Sequence, residues 1–105
     1  MRTFPKALAT LRKIINERGE QLRRLTFEEL GKPAAWPVEQ ITVESRPTTI
    51  SIIVQLKPDD SLLVVVRGFM KARFMPGYNV AMDGFCKHPD GSVTPMPDEE
   101  FYKFD

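Results

Sequence analysis

Thiols and imidazoles are almost missing from this chain: Cys86 is its one cysteine and His88 its one histidine. A single cysteine excludes an internal disulfide framework and fits a reducing, cytoplasmic location. The two residues spell Cys-x-His, and on a strand both would face the same way. A structural zinc takes four ligands and a catalytic zinc usually three, so no metal and no cofactor is assigned to this pair. Nucleophilic catalysis by Cys86 would need an activating base and an orienting third group, and no such order of residues is present. Glycine is also scarce, with six residues in 105. Gly68, Gly77, Gly84 and Gly91 are spread at the intervals of strands and turns, and neither phosphate-binding glycine pattern occurs.

Long apolar runs are missing too. Nothing approaches the roughly 18 apolar residues of a membrane span. The N-terminal segment is amphipathic and basic, but charges interrupt it too often for a secretory signal. Glu17, Glu20 and the absence of serine there are unlike an organellar presequence. The carboxylate pairs Glu28/Glu29, Asp59/Asp60 and Asp98/Glu99/Glu100 fall at helix starts or in a turn, where acids serve capping and solubility rather than acid–base chemistry. These absences point away from an enzyme.

What is there is an ordinary globular composition, 42% hydrophobic and 28% charged, in a chain sized for one domain, residues 1–105. The net charge of +1 conceals a gradient: residues 1–25 carry +5 and residues 83–105 carry −4. Such a dipole is not the domain-wide basic excess of most nucleic-acid binders. The two ends can instead attract each other, within one molecule or between two.

Phe4, Ala7, Leu8, Leu11, Ile14 and Ile15 recur at helical spacing and predict a helix over about residues 5–24, with a weak point at Gly19. Thr26 and Glu29 make a capping box for a very short second helix, with Leu25 and Leu30 as its hydrophobic staple and Gly31 as its stop. Residues 32–37 read as a loop in which Trp36 covers the core edge and points its N–H at a carbonyl or water. Strands follow over 38–45, 49–57, 61–75, 78–88 and 93–96, separated by Arg46-Pro47, Pro58–Ser61, a type II turn at Met75–Tyr78 and Pro89–Ser92. Asp83-Gly84 reads as either a bulge or a tight hairpin. A last helical turn is expected over 98–104. The expected fold is α+β with two layers, the N-terminal helix and one short helix packed on a four- to five-stranded, mostly antiparallel sheet.

The longest strand segment has two unlike faces. Leu62, Val64, Val66, Gly68, Met70, Ala72 and Phe74 share an apolar face suited to the core. Leu63, Val65, Arg67, Phe69, Lys71 and Arg73 share the other, which begins apolar and becomes basic. With Ile53 and Phe85 placed beside it, this outer face is too apolar to leave in water, and Phe101, Tyr102 and Phe104 are its natural cover within the chain. Three readings follow. The first is a non-catalytic interaction module, a homodimer or a binder of another protein, using Ile53, Leu63, Val65, Phe69 and Phe85. The second is single-stranded nucleic-acid binding through Arg67, Phe69, Lys71 and Arg73, alongside Phe85. The third is small-molecule binding, or an enzyme, with a pocket near Trp36, Tyr78, Cys86 and His88.

Overall fold

The computed structural model describes residues 4–33, 35–72, 77–97 and 99, with no side-chain description for Phe4 and Pro5. The helix α1 spans Phe4–Arg23 and runs through Gly19 without a break. Its stripe of Ala7, Leu11, Ile15 and Leu22 is buried, with Leu8 and Ile14 packed at the margin. The helix α2, Phe27–Gly31, is one turn held by its cap. The Glu29 amide donates to Thr26 Oγ1 at 3.1 Å and the Thr26 amide donates to Glu29 Oε1 at 2.9 Å. Leu30 is fully buried, and Leu25 packs against the same core. The helix ends at Gly31 as expected, with Lys32 following in ordinary helical geometry and no left-handed residue at the stop.

Five strands form one antiparallel sheet in sequence order: β1 Glu39–Val43, β2 Arg46–Leu56, β3 Leu62–Lys71, β4 Tyr78–Lys87 and β5 Val93–Pro95. The α+β, two-layer arrangement is as the sequence predicts. The first hairpin is tighter than expected. Arg46-Pro47 does not break the sheet, because the reversal is made by Glu44 (φ 48°) and Ser45 (φ 66°) alone and Val43 pairs with Arg46. Two positive-φ residues in a two-residue loop match the twist of the strands they join. Asp83-Gly84 is neither bulge nor hairpin: both residues pair regularly, with Val66 and Val65. Arg73–Pro76 and the expected terminal helical turn lie outside the described residues, Glu99 apart.

The helix covers one side of the sheet. Leu62, Val64, Val66 and Met70 of β3, Ile50 of β2, Val43 of β1 and Ala81 and Phe85 of β4 meet α1 and α2 there. Gly68 lets α1 approach closely: a Cβ at this position would lie 2.9 Å from Leu11 Cδ1 and 2.8 Å from Ile15 Cδ1. Trp36 closes the margin of this core and donates its Nε1–H to the Leu30 carbonyl at 3.3 Å.

Candidate functional site

The outer side of the sheet follows from register. Ile53 lies opposite Val65, Thr49 opposite Phe69, Phe69 opposite Val80, and Lys71 opposite Tyr78. Alternation therefore brings Leu63, Val65, Arg67, Phe69 and Lys71 together with Tyr78, Val80, Met82, Gly84 and Cys86. Phe85 is not among them. It pairs with Val64, points to the helix side and is fully buried. Asp83 and Lys87 turn the same way. The cause is parity: the Lys71–Tyr78 pairing sets odd positions of β3 against even positions of β4, and a slip of one residue would exchange every face.

This outer side has two halves. Towards β5, Leu63, Val65, Cys86 and Met96 form a second buried cluster, with Ile53 and Met82 packed against it. Met96 lies so close over the sheet that a Cβ at Gly84 would be 2.6 Å from its sulfur. Leu63 and Val65 are thus covered within the single chain; Phe101, Tyr102 and Phe104, the cover expected from sequence, lie outside the described residues. Towards the Lys71 end the face opens to water. Tyr78 is 65% exposed and Val80 39%, while Phe69 is half-buried between them and β2. The Arg67 guanidinium sits over the Phe69 ring, 5.1 Å from its centroid, a cation–π contact. Among the described residues, no carboxylate projects from the strands on this side. Arg73, grouped with these cations in the sequence, lies outside the described residues.

The four residues expected around a pocket are dispersed. Tyr78 and Cys86 are eight positions apart on one strand, roughly 27 Å at about 3.4 Å per residue. Cys86 belongs to the buried outer cluster. His88 Nε2 lies 2.9 Å from Thr94 Oγ1. Trp36 borders its own small hollow of about 230 Å³ with Pro33, Ala35, Ile52, Ile53 and Val54. No group of three or more His, Cys, Asp and Glu able to hold a metal ion occurs among the described residues.

Two features escaped the sequence reading. Arg23, near the end of α1, grips Asp83 with both Nη atoms, at 2.8 and 3.1 Å, and lies over the Phe85 ring at 4.8 Å. Lys87 Nζ donates to the Arg23 carbonyl at 3.0 Å. Hydrogen bonding to Asp83 holds the Arg23 guanidinium more firmly protonated, against the cost of burial. This knot is a joint between the basic and acidic ends of the chain, and only its charge gradient was visible beforehand. The second feature is Arg46, which lies almost wholly beneath the surface at 6% exposure. No family model, curated protein or solved structure matches the chain.

Proposed function

We propose that the protein is a non-catalytic interaction module that pairs with a second copy of itself through the open half of its outer sheet face. The observation that carries this reading is the row of apolar surface left in water there: Tyr78 and Val80 exposed on β4, with Phe69 beside them on β3. Apolar side chains that share one flat face make a self-complementary patch. Its size limits its strength. Four strands, β1 to β4, about 4.8 Å apart and roughly four residues of each give ~260 Å², well short of the ~800 Å² per partner of a standard stable interface. The dimer is therefore weak and concentration-dependent. Lys71 faces out from the same patch, and its repulsion from its own copy across a dyad is screened by salt. Association by this surface strengthens as salt is added.

A second reading, single-stranded nucleic-acid binding, is favoured by Lys71 and by the Arg67–Phe69 stack, a flat cationic platform of the kind on which bases lie. It carries the opposite salt dependence, because phosphate contacts weaken as counterions are added.

Light scattering over a range of protein concentrations at low and moderate salt separates the two. The interaction-module reading expects a mass that climbs from 12.0 kDa towards twice that value with concentration, more steeply at moderate salt. Val80→Glu should hold the chain monomeric throughout, since a carboxylate buried without a partner is strongly disfavoured. A mass fixed at that of one chain at every concentration overturns self-association. Oligothymidylate binding that falls with salt, measured by fluorescence anisotropy, would replace it with the second reading.

A further inference from the structure

The strands β1 and β2 are unequal in length. β1 pairs only with residues 46–50, so residues 51–56 of β2 have β3 on one side and, among the described residues, no strand on the other. Pairing stops for a chemical reason. Continued backwards by two residues, β1 would set Pro37 against Ile52 at a position that donates to the ladder, and proline has no N–H. The chain leaves the sheet there, and Trp36 turns to the Leu30 carbonyl instead.

The turns at the two ends of β2 fix which backbone groups are left over. The two-residue hairpin makes Val43 and Arg46 a hydrogen-bonded pair, so even-numbered residues of β2 direct N–H and C=O towards the β1 side. At the other end the Lys57 amide donates to the Ser61 carbonyl at 2.8 Å, so odd-numbered residues bond to β3. Ile52 and Val54 therefore present their backbone groups at the open edge. Among the described residues, no backbone hydrogen bond joins them to the segment 33–38.

A hollow of about 230 Å³ lies along this stretch, lined by Ile52, Ile53 and Val54. The side chains of three consecutive strand residues alternate between the two sides of the sheet, so a space that touches all three lies beside the strand rather than over one face. Pro33, Ala35 and Trp36 form its far wall. Neither 33–38 nor 51–56 contains a charged residue, and Val38 and Leu56 are exposed at the margins of the gap. The lysine or proline that ordinarily blunts an open edge is missing from 51–56.

We propose that the open edge of β2 is a docking site for an extended, uncharged peptide segment of another protein, which adds as a further strand and places one apolar side chain in the hollow beside Trp36. Backbone donors and acceptors repeating at every second residue are matched by another extended backbone. Drug-sized ligands fill pockets of about 300–1,000 Å³, larger than this hollow. A second copy of this chain is a poor occupant, because pairing about a dyad would bring two 33–38 segments into one gap. The edge is separate from the Tyr78 and Val80 patch on β4.

The test follows backbone amides of the isotopically labelled full chain by nuclear magnetic resonance. In the free protein the Ile52 and Val54 amides should exchange with deuterium much faster than those of Ile53 and Gln55, which bond to β3. The probe is the blocked peptide Thr-Val-Thr-Val-Thr-Val-Thr. It should shift the Ile52 and Val54 amide protons and the Trp36 Nε1–H saturably, with a dissociation constant on the order of 1 mM, and slow exchange at the same two amides. The Ile53 and Gln55 amides should hardly move. Val54→Pro should weaken binding about tenfold while leaving the chain folded, since the N–H it removes points away from β3. Protection of Ile52 and Val54 in the dilute free chain overturns the proposal, because the edge is then already closed. Shifts that stay linear in peptide, or that fall on Tyr78 and Val80 instead, overturn it as well. Protection that grows with protein concentration in the absence of peptide would assign the edge to a second copy and overturn it too.

Discussion

Two turns of this chain are built to one plan, and they differ at one residue that matters. In Pro58-Asp59-Asp60-Ser61 the Asp59 Oδ1 accepts from the Ser61 amide at 3.0 Å and its hydroxyl at 2.6 Å. In Pro89-Asp90-Gly91-Ser92 the Asp90 Oδ1 accepts the equivalent pair from Ser92 at 2.9 and 2.7 Å. The third residue of each is left-handed: Gly91 at φ 92° and Asp60 at φ 70°. Glycine adopts that conformation without strain, and aspartate does so at a cost. Asp60→Gly should therefore stabilise the protein by about 0.5–1 kcal/mol, and Ser45→Gly, in the first hairpin, by a similar amount. Urea denaturation reads both, as a higher midpoint with an unchanged slope. A lower midpoint for Asp60→Gly would mean that its carboxylate holds the turn. At this scale the sequence was legible where the signal is chemical and local, as in the Thr26–Glu29 capping box. It was silent at Glu44-Ser45, because neither residue type favours the conformation that both adopt.

Between elements, contacts too close for a side chain decide the sign of a substitution. Gly19 lies inside α1, where replacing glycine by alanine ordinarily stabilises a helix by about 1 kcal/mol. Here a Cβ would strike the Asp83 carboxylate and stand 2.9 Å from Arg23 Nη1. Both are members of the joint that fixes α1 to β4. Gly19→Ala should thus destabilise by about 1–3 kcal/mol, the helix gain being outweighed by a displaced two-bond ion pair. A thermodynamic cycle with Asp83→Ala isolates the cause: once the carboxylate is gone, the same Gly19→Ala change should become neutral or stabilising. If alanine stabilises the wild-type chain, the helix sits further from β4 than described. The sequence marked Gly19 as a weak point of the helix and read it as a matter of propensity alone. It is a packing position, and its reason lies 64 residues away at Asp83. The same distance problem misplaced Phe85. Alternation along β4 showed which residues share a face, but its parity against β3 is set by the loop pairing Lys71 with Tyr78. Composition does not announce that register.

At the scale of the whole molecule, the charge gradient of the chain becomes a way of closing it. The basic helix meets the acidic C-terminal half through Arg23 and Asp83, and Arg18 meets Glu39 at 2.8 Å. Much of the outer face that looked available is closed as well, because Met96 returns over Leu63, Val65 and Cys86. What the sequence could offer as a site was a basic and aromatic stripe. The burial of Arg46 could not be read there, since an arginine beside a proline gives no sign that it will lie beneath the surface. The acids that remain at the surface make the fold sensitive to low pH in a defined way. Glu29, Asp59 and Asp90 are each held below the usual carboxylate range, Glu29 by the Thr26 amide and hydroxyl, Asp59 by the Ser61 hydroxyl and amide, and Asp90 by the Ser92 amide and hydroxyl. A carboxyl with a lower pKa folded than unfolded contributes stability that is fully present above its unfolded value. That contribution disappears as pH falls through the folded value. The melting temperature should accordingly be insensitive to these three groups near neutrality and decline below about pH 4. The combined variant Glu29→Gln, Asp59→Asn and Asp90→Asn keeps a side-chain oxygen to accept each bond but has no carboxyl to titrate. Its melting temperature should stay close to wild type at pH 7 and fall less steeply between about pH 4 and pH 2. A decline parallel to that of the wild type would place the acid sensitivity in other carboxylates.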